Sequence, residues 1–152
     1  MTYHFQPMTQ QHAETIAWTW RYEGEYAFYN MDADADDLAS FLDETARGAT
    51  TFSMLDGDRL VGFVVIDVQD AHTVDIGLGK HPDLTGNGTG QAFVTSILDF
   101  IAMTYGPRNI TLAVATFNER AIRVYEACGF RRGTVFQQAT NGSVYSFVSM
   151  TR

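Results

Sequence analysis

The clearest pattern in the chain is the alternation Val74, Ile76, Leu78 against Asp75, Gly77, Gly79. A period of two marks a half-buried strand, and this one stops at His81-Pro82 because proline cannot continue a ladder. Further on, Phe93, Val94, Ile97, Leu98 and Ile101 fall on one face of a helix. Around this unit the pattern predicts a short strand over Tyr3–Met8, closed by Pro7, and a helix from Gln10 to Trp20 with Thr9 as N-cap and Ile16, Trp18 and Trp20 among its bulky residues. A second helix is expected over Asp32–Arg47, with Leu38, Phe41 and Leu42 inward, Asp34, Asp36 and Asp37 near its N-terminus and Gly48 at its end. Thr51–Leu55 and Leu60–Asp67 read as a hairpin about Asp56-Gly57. After a stop at Tyr105-Gly106-Pro107-Arg108 come a strand over Ile110–Ala115, a helix over Glu119–Cys128 ended by Gly129, a strand opening at Val135 and Phe136, a turn at Asn141-Gly142 and a last strand over Val144–Met150. This order suits an α/β (mixed α+β) fold, one mostly antiparallel sheet with helices on both faces. Residues 1–152 read as one domain.

The 18 acidic and 10 basic side chains give a formal charge of −8. That balance argues against a nucleic-acid surface, which needs clustered Lys and Arg, and leaves room for a cationic amine. Cys128 is the single cysteine, which rules out an intrachain disulfide and agrees with a reducing compartment. No stretch approaches a membrane span, and the first residues lack a basic region followed by an apolar run. A cytoplasmic location is the expectation. His4, His12, His72 and His81 lack metal-ligand spacing, so no metal is expected.

Between the central strand and helix lies Thr85-Gly86-Asn87-Gly88-Thr89-Gly90. A strand, a glycine-spaced turn and a helix start leave main-chain N–H groups pointing one way, which outlines a diphosphate cradle; the same glycines also suit a plain tight turn. A P-loop would follow with Lys-Ser/Thr, but Gln91-Ala92 follows, and the spacing is not the G-x-G-x-x-G of a dinucleotide fold. Six residues beginning Gln/Arg-x-x-Gly-x-Gly/Ala, followed after one more strand by N-x-x-A-x-x-x-Y-x-x-x-G-F, resemble the GNAT superfamily of acyl-CoA N-acyltransferases. The second block is complete in Asn118-Glu119-Arg120-Ala121-Ile122-Arg123-Val124-Tyr125-Glu126-Ala127-Cys128-Gly129-Phe130. The two blocks cover Val74 to about Arg132. Thr85 departs from the usual Arg or Gln and removes a side-chain donor near the phosphates.

The resemblance implies acetyl-CoA as co-substrate and direct attack of an amine on the thioester. It places the cofactor at Leu78, Gly79 and Lys80, at Thr85, Gly86, Asn87, Gly88, Thr89 and Gly90, and at Asn118 and Tyr125. Tyr125 stands at the general-acid position, and a phenol near pKa 10 suits a departing thiolate; a core tyrosine is the other reading. Asn118 also suits an ordinary N-cap. Asp75 is the candidate base, acting through water because its side chain is short, or else a solvated strand residue or partner of Lys80; His72 is a second candidate. Cys128 reads as a small buried residue. The aromatic and acidic stretch Arg21–Asn30 is either a packed connection or, as the resemblance implies, an acceptor wall. In that wall Trp20, Tyr22, Tyr26 and Tyr29 form the sides, and Glu23 and Glu25 attract an ammonium. The acceptor is expected to be a small-molecule amine, with a protein N-terminus or lysine as an alternative. A non-turning acyl-CoA-binding module and an unrelated nucleotide-binding domain are the rival readings, and the assembly is expected to be a monomer or homodimer.

Overall fold

In a computed structural model the structure describes residues 2–152. Among these residues seven strands form one sheet in the order β1-β2-β3-β4-β5-β7-β6. They are β1 His4–Pro7, β2 Thr51–Asp56, β3 Arg59–Val68, β4 Thr73–Lys80, β5 Asn109–Ala115, β6 Arg131–Thr140 and β7 Ser143–Thr151. Neighbours are antiparallel except β4 and β5, which run parallel. The helices are α1 Gln10–Thr19, α2 Ala35–Leu42, α3 Glu44–Arg47, α4 Gly90–Tyr105 and α5 Glu119–Ala127. Among the described residues no helix is long and apolar enough to cross a membrane.

Consecutive residues of β3 show the two faces. The missing side chain of Gly62 leaves room for the Phe93 ring of α4. Phe63 points the opposite way, onto Trp20 of α1 and Phe41 of α2, with ring centroids 6.2 and 5.3 Å away. One core is therefore built from Phe93, Val94, Ile97, Leu98 and Ile101 against Val64, Ile66, Val74 and Ile76. A smaller one collects Ala13, Ile16, Ala17, Trp20 and Phe41. Thr9 caps α1 as expected, its Oγ1 accepting from His12 N at 3.1 Å.

Two element boundaries and the burial of one residue differ from the sequence expectation. The single helix over Asp32–Arg47 is two helices preceded by a 3₁₀ turn at Met31–Ala33. Two aspartates cause the division. Asp34 accepts from the amides of Asp36 and Asp37, and Asp43 from those of Thr45 and Ala46, so each starts a helix of its own. Strand β6 begins at Arg131, before Val135, and its pairing with β7 shifts between Arg132 and Val135. This edge strand opens on polar residues that carry no alternation. Cys128 is only partly buried and packs on the rim of the main core.

The fold also fixes the stretch after α1. Asp34 Oδ2 accepts from Asn141 N at 3.0 Å, and Asn141 Nδ2 donates to Phe28 O at 2.9 Å. Phe28 packs edge-on against Tyr145 and Phe117, with centroids 4.7 and 5.6 Å away. The β6–β7 turn thus clasps residues 28–34 against the sheet.

Candidate active site

The pairing of β4 with β5 covers only Thr73, Val74 and Asp75 against Asn109, Ile110 and Thr111. Beyond them the strands part. Asn109 N donates to His72 O, while His81 N donates to Val61 O of β3. Pleat alternation therefore turns the main-chain groups of Ile76, Leu78 and Lys80 away from β3 and into the gap. On β5, Ile110 and Arg152 exchange both bonds and Thr116 N donates to Ser146 O. The even-numbered residues thus serve β7, and Ala113 and Ala115 face the gap. Two strands held together at one end and open at the other make a wedge edged with main-chain donors and acceptors.

Two tyrosines of the segment after α1 close its mouth. Tyr22 donates from its hydroxyl to Lys80 O at 2.6 Å. Tyr29 Oη accepts from Asn118 Nδ2 at 3.0 Å and bonds the main chain of Ala115. Burial raises both phenols above the usual tyrosine range, less so for Tyr29 because these two bonds favour its anion. The segment runs as a 3₁₀ helix over Gly24–Tyr29, a three-residue period that explains why neither helical nor strand periodicity was visible in it.

The resulting cleft has a volume of about 680 Å³. Of the residues singled out in the sequence, Trp20, Tyr22, Tyr26, Tyr29, Leu78, Gly79, Lys80, Thr85, Gly86, Gly88, Gly90, Asn118 and Tyr125 line it together. Asn87 and Thr89 complete the loop beside it, linked by a 2.7 Å bond from Thr89 Oγ1 to Asn87 Oδ1. Glu23 and Glu25 are exposed and outside the lining, and His72 is exposed on the turn before β4. Asp75 is half-buried at the closed end of the wedge, accepting from Thr111 Oγ1 at 2.6 Å. Trp18 faces solvent, whereas Trp20 is 3% exposed.

The loop lies at one end of the cleft. Gly86 and Gly88 have φ of 72° and 82°, the left-handed region that glycine enters without strain. Gly90 opens α4 so close to α5 that a Cβ there would lie 3.1 Å from Val124. Thr89, the N-cap of α4, makes no side-chain capping bond, so the first-turn amides keep their donors for an anion. Lys80 Nζ reaches over the loop to Thr89 Oγ1.

Tyr125, on α5, also lines the cleft. Asn118 starts that helix, its Oδ1 accepting from Ala121 N at 3.2 Å, and the same side chain's Nδ2 holds Tyr29. Asn118 is thus an N-cap and a cleft residue at once. Tyr125 packs edge-on against Phe130 at 5.7 Å, and the surface it keeps opens into the cleft. Burial, then the nearby Tyr29 and Cys128, push its phenol well above the usual range, so it stays protonated but is a weaker acid than the pKa near 10 expected from the sequence.

Sequence reasoning missed Arg120, Arg123, Met31, Phe63 and Phe147, all in the lining. For Arg120 a signal existed: a cation in the first turn of a helix opposes the helix dipole.

A sequence model of the acetyltransferase (GNAT) family matches residues 10–130. No curated protein sequence matches the chain. Among solved structures, spermidine N-acetyltransferase from Vibrio cholerae in complex with CoA and spermine superposes with a TM-score of 0.76 at 17% identity, covering 99% of this chain and 94% of that one. A GNAT-family acetyltransferase from Bacillus anthracis gives 0.71 at 18%, covering 99% and 93%. At these identities the structures speak for the fold alone. The family match spans residues 10–130, most of the chain, and takes in the wedge, the glycine loop, Asn118 and Tyr125: the chain belongs to the acetyltransferase (GNAT) family.

Proposed function

We propose that the protein transfers an acetyl group from acetyl-CoA to the primary amine of a small molecule, by direct attack in a ternary complex. The observation that carries this reading is the wedge. The unpaired main-chain edges of Ile76, Leu78 and Ala113 suit an extended amide-bearing arm laid between the strands as an added strand. The loop Gly86–Gly90 with the start of α4 suits a diphosphate. Acetyl-CoA brings both, together with a thioester carbon that an amine can attack. The bound CoA and spermine of the Vibrio cholerae neighbour support the same use of the fold.

The proposed roles follow from the geometry. Tyr125 donates its phenolic proton to the departing thiolate. Asp75 receives the amine's proton through water: Gly77 lies between Asp75 and the cleft, and a Cβ there would meet nothing within 4 Å, so the route is open. The acceptor lies against Trp20, Tyr22, Tyr26 and Tyr29; the ring faces of Trp20, Tyr22 and Tyr29 attract an ammonium as it enters, while Arg120 already stacks on Tyr26. Glu23 and Glu25 stand outside this wall, so their proposed attraction of a cationic amine acts on the approach, through the longer-range field.

Release of free thiol from acetyl-CoA, followed over a panel of mono- and polyamines, amino acids and peptides, tests the reading. Turnover is expected with at least one small amine and not with peptides alone; turnover of peptides only would reassign the acceptor to a protein N-terminus or lysine. With an accepting amine in hand, Asp75→Asn is expected to lower kcat about 100-fold, in the range of general-base catalysis, with acetyl-CoA affinity unchanged. An unaltered kcat would take Asp75 out of the mechanism.

A further inference from the structure

Of the three cations in the cleft lining, Lys80, Arg120 and Arg123, the first two have no anionic partner. Among the described residues the ion pairs join Arg21 to Asp32, Arg123 to Glu119 and Arg132 to Glu126. Neither Arg120 nor Lys80 is neutralised, although the chain carries a formal charge of −8. Among the described residues no carboxylate lines the cleft.

Both charges sit where the fold makes them costly. Arg120 is the second residue of α5, at the end where the helix dipole repels a cation. Lys80 is partly buried, and that burial, with the charge of Arg120, holds its ammonium below the usual lysine range. Arg120 is nevertheless held in place. Its guanidinium carbon stacks 4.5 Å from the centroid of the Tyr26 ring. Its Nη1 would lie 3.0 Å from a Cβ on Gly86, directly against the loop. Lys80 reaches Thr89 at the far end of the same loop. Two unneutralised cations therefore straddle the glycine turn, in a chain whose position 85 is threonine.

We propose that Arg120 and Lys80 are the phosphate-binding cations of this chain, supplying from outside the loop the charge that Thr85 lacks, and that Tyr26 transmits occupancy of this anion subsite to the acceptor wall. The inference rests on the acyl-CoA reading of the cleft. A guanidinium already oriented by a ring face is prepared for two parallel bonds to phosphate oxygens. Once an anion pins Arg120, the stacked Tyr26 ring is pinned with it, and Tyr26 also leans on Phe117 at 6.1 Å. Donor binding thereby completes the surface against which the amine lies.

The test is calorimetric titration of the full chain, as wild type, Arg120→Gln and Arg120→Lys, with CoA and with pantetheine, which lacks the phosphates. Arg120→Gln is expected to bind CoA about tenfold more weakly, the value of one charge-assisted contact, and to bind pantetheine as the wild type does. Arg120→Lys is expected to recover part of the loss. Equal weakening toward both ligands, or none, would overturn the phosphate role. At saturating acetyl-CoA the acceptor's KM is expected to rise about fivefold in Arg120→Gln, within the usual range of site coupling. An unchanged KM would remove the link through Tyr26. A wild type that binds no CoA would overturn the acyl-CoA reading itself, an outcome distinct from wild type and variant binding CoA equally.

Discussion

Tyr125→Phe is expected to lower kcat about 100- to 1,000-fold while leaving acetyl-CoA affinity within about twofold, the signature of a lost proton donor. The substitution removes one oxygen and keeps the ring that packs on Phe130, so the core around it persists. The pH dependence should be equally distinctive. Burial raises the Tyr125 phenol far enough that it stays protonated across the working range. The wild-type kcat/KM should therefore show no loss from deprotonation of this group as pH rises through 9. A falling limb near the ordinary phenol value of 10 that vanishes in Tyr125→Phe would contradict the assigned environment. Unaltered turnover in the variant would leave the fold holding acyl-CoA without using this tyrosine.

Gly62→Ala is expected to destabilise the protein by about 2 kcal/mol, the usual cost of overpacking. For a domain of this size that lowers Tm by about 4–8 °C, readable by thermal denaturation. A Cβ at position 62 would lie 2.5 Å from two atoms of the Phe93 ring and 2.9 Å from Gly79 O. Phe93 is buried, sits edge-on to Tyr3 at 5.9 Å and lies 5.4 Å beneath Lys80 Nζ. The ring can give way only by tilting toward the cleft it lines, and Gly79 O, a main-chain atom, cannot yield without moving β4. Gly77→Ala is the contrast. Its Cβ meets nothing within 4 Å, so stability should change little, while the new methyl group stands in the cleft and should slow transfer. Equal stability for wild type and Gly62→Ala would show that β3 and α4 are less tightly packed than described.

Much of the site was legible because its residues are close in sequence. The alternation of Val74, Ile76 and Leu78, the glycines at 86, 88 and 90 and the block from Asn118 to Phe130 each declare their structure locally. What could not be read depends on the meeting of distant segments. The parting of β4 from β5 follows from where the ladder stops, and no residue type marks that point. The 3₁₀ helix over Gly24–Tyr29 places Tyr26 and Tyr29 in the cleft and leaves Glu23 and Glu25 outside. The family resemblance groups the four together as one acceptor wall. The division of the second helix at Asp43 was readable in principle, since aspartate followed by Glu44 and Thr45 is a capping signal. It was masked by the apolar period of Leu38, Phe41 and Leu42. Arg120 lay unnoticed inside a motif position that accepts any residue, and its importance emerges only from what it touches.

The most direct test of the account is calorimetric titration of the purified protein with acetyl-CoA, with ATP and NAD as controls. Saturable micromolar binding of acetyl-CoA, with neither control binding, is the expected result. Absence of acetyl-CoA binding, or comparable binding of ATP or NAD, would contradict it: the glycine loop would then be a turn or a different nucleotide's site, and the wedge between β4 and β5 would not be the seat of acyl transfer.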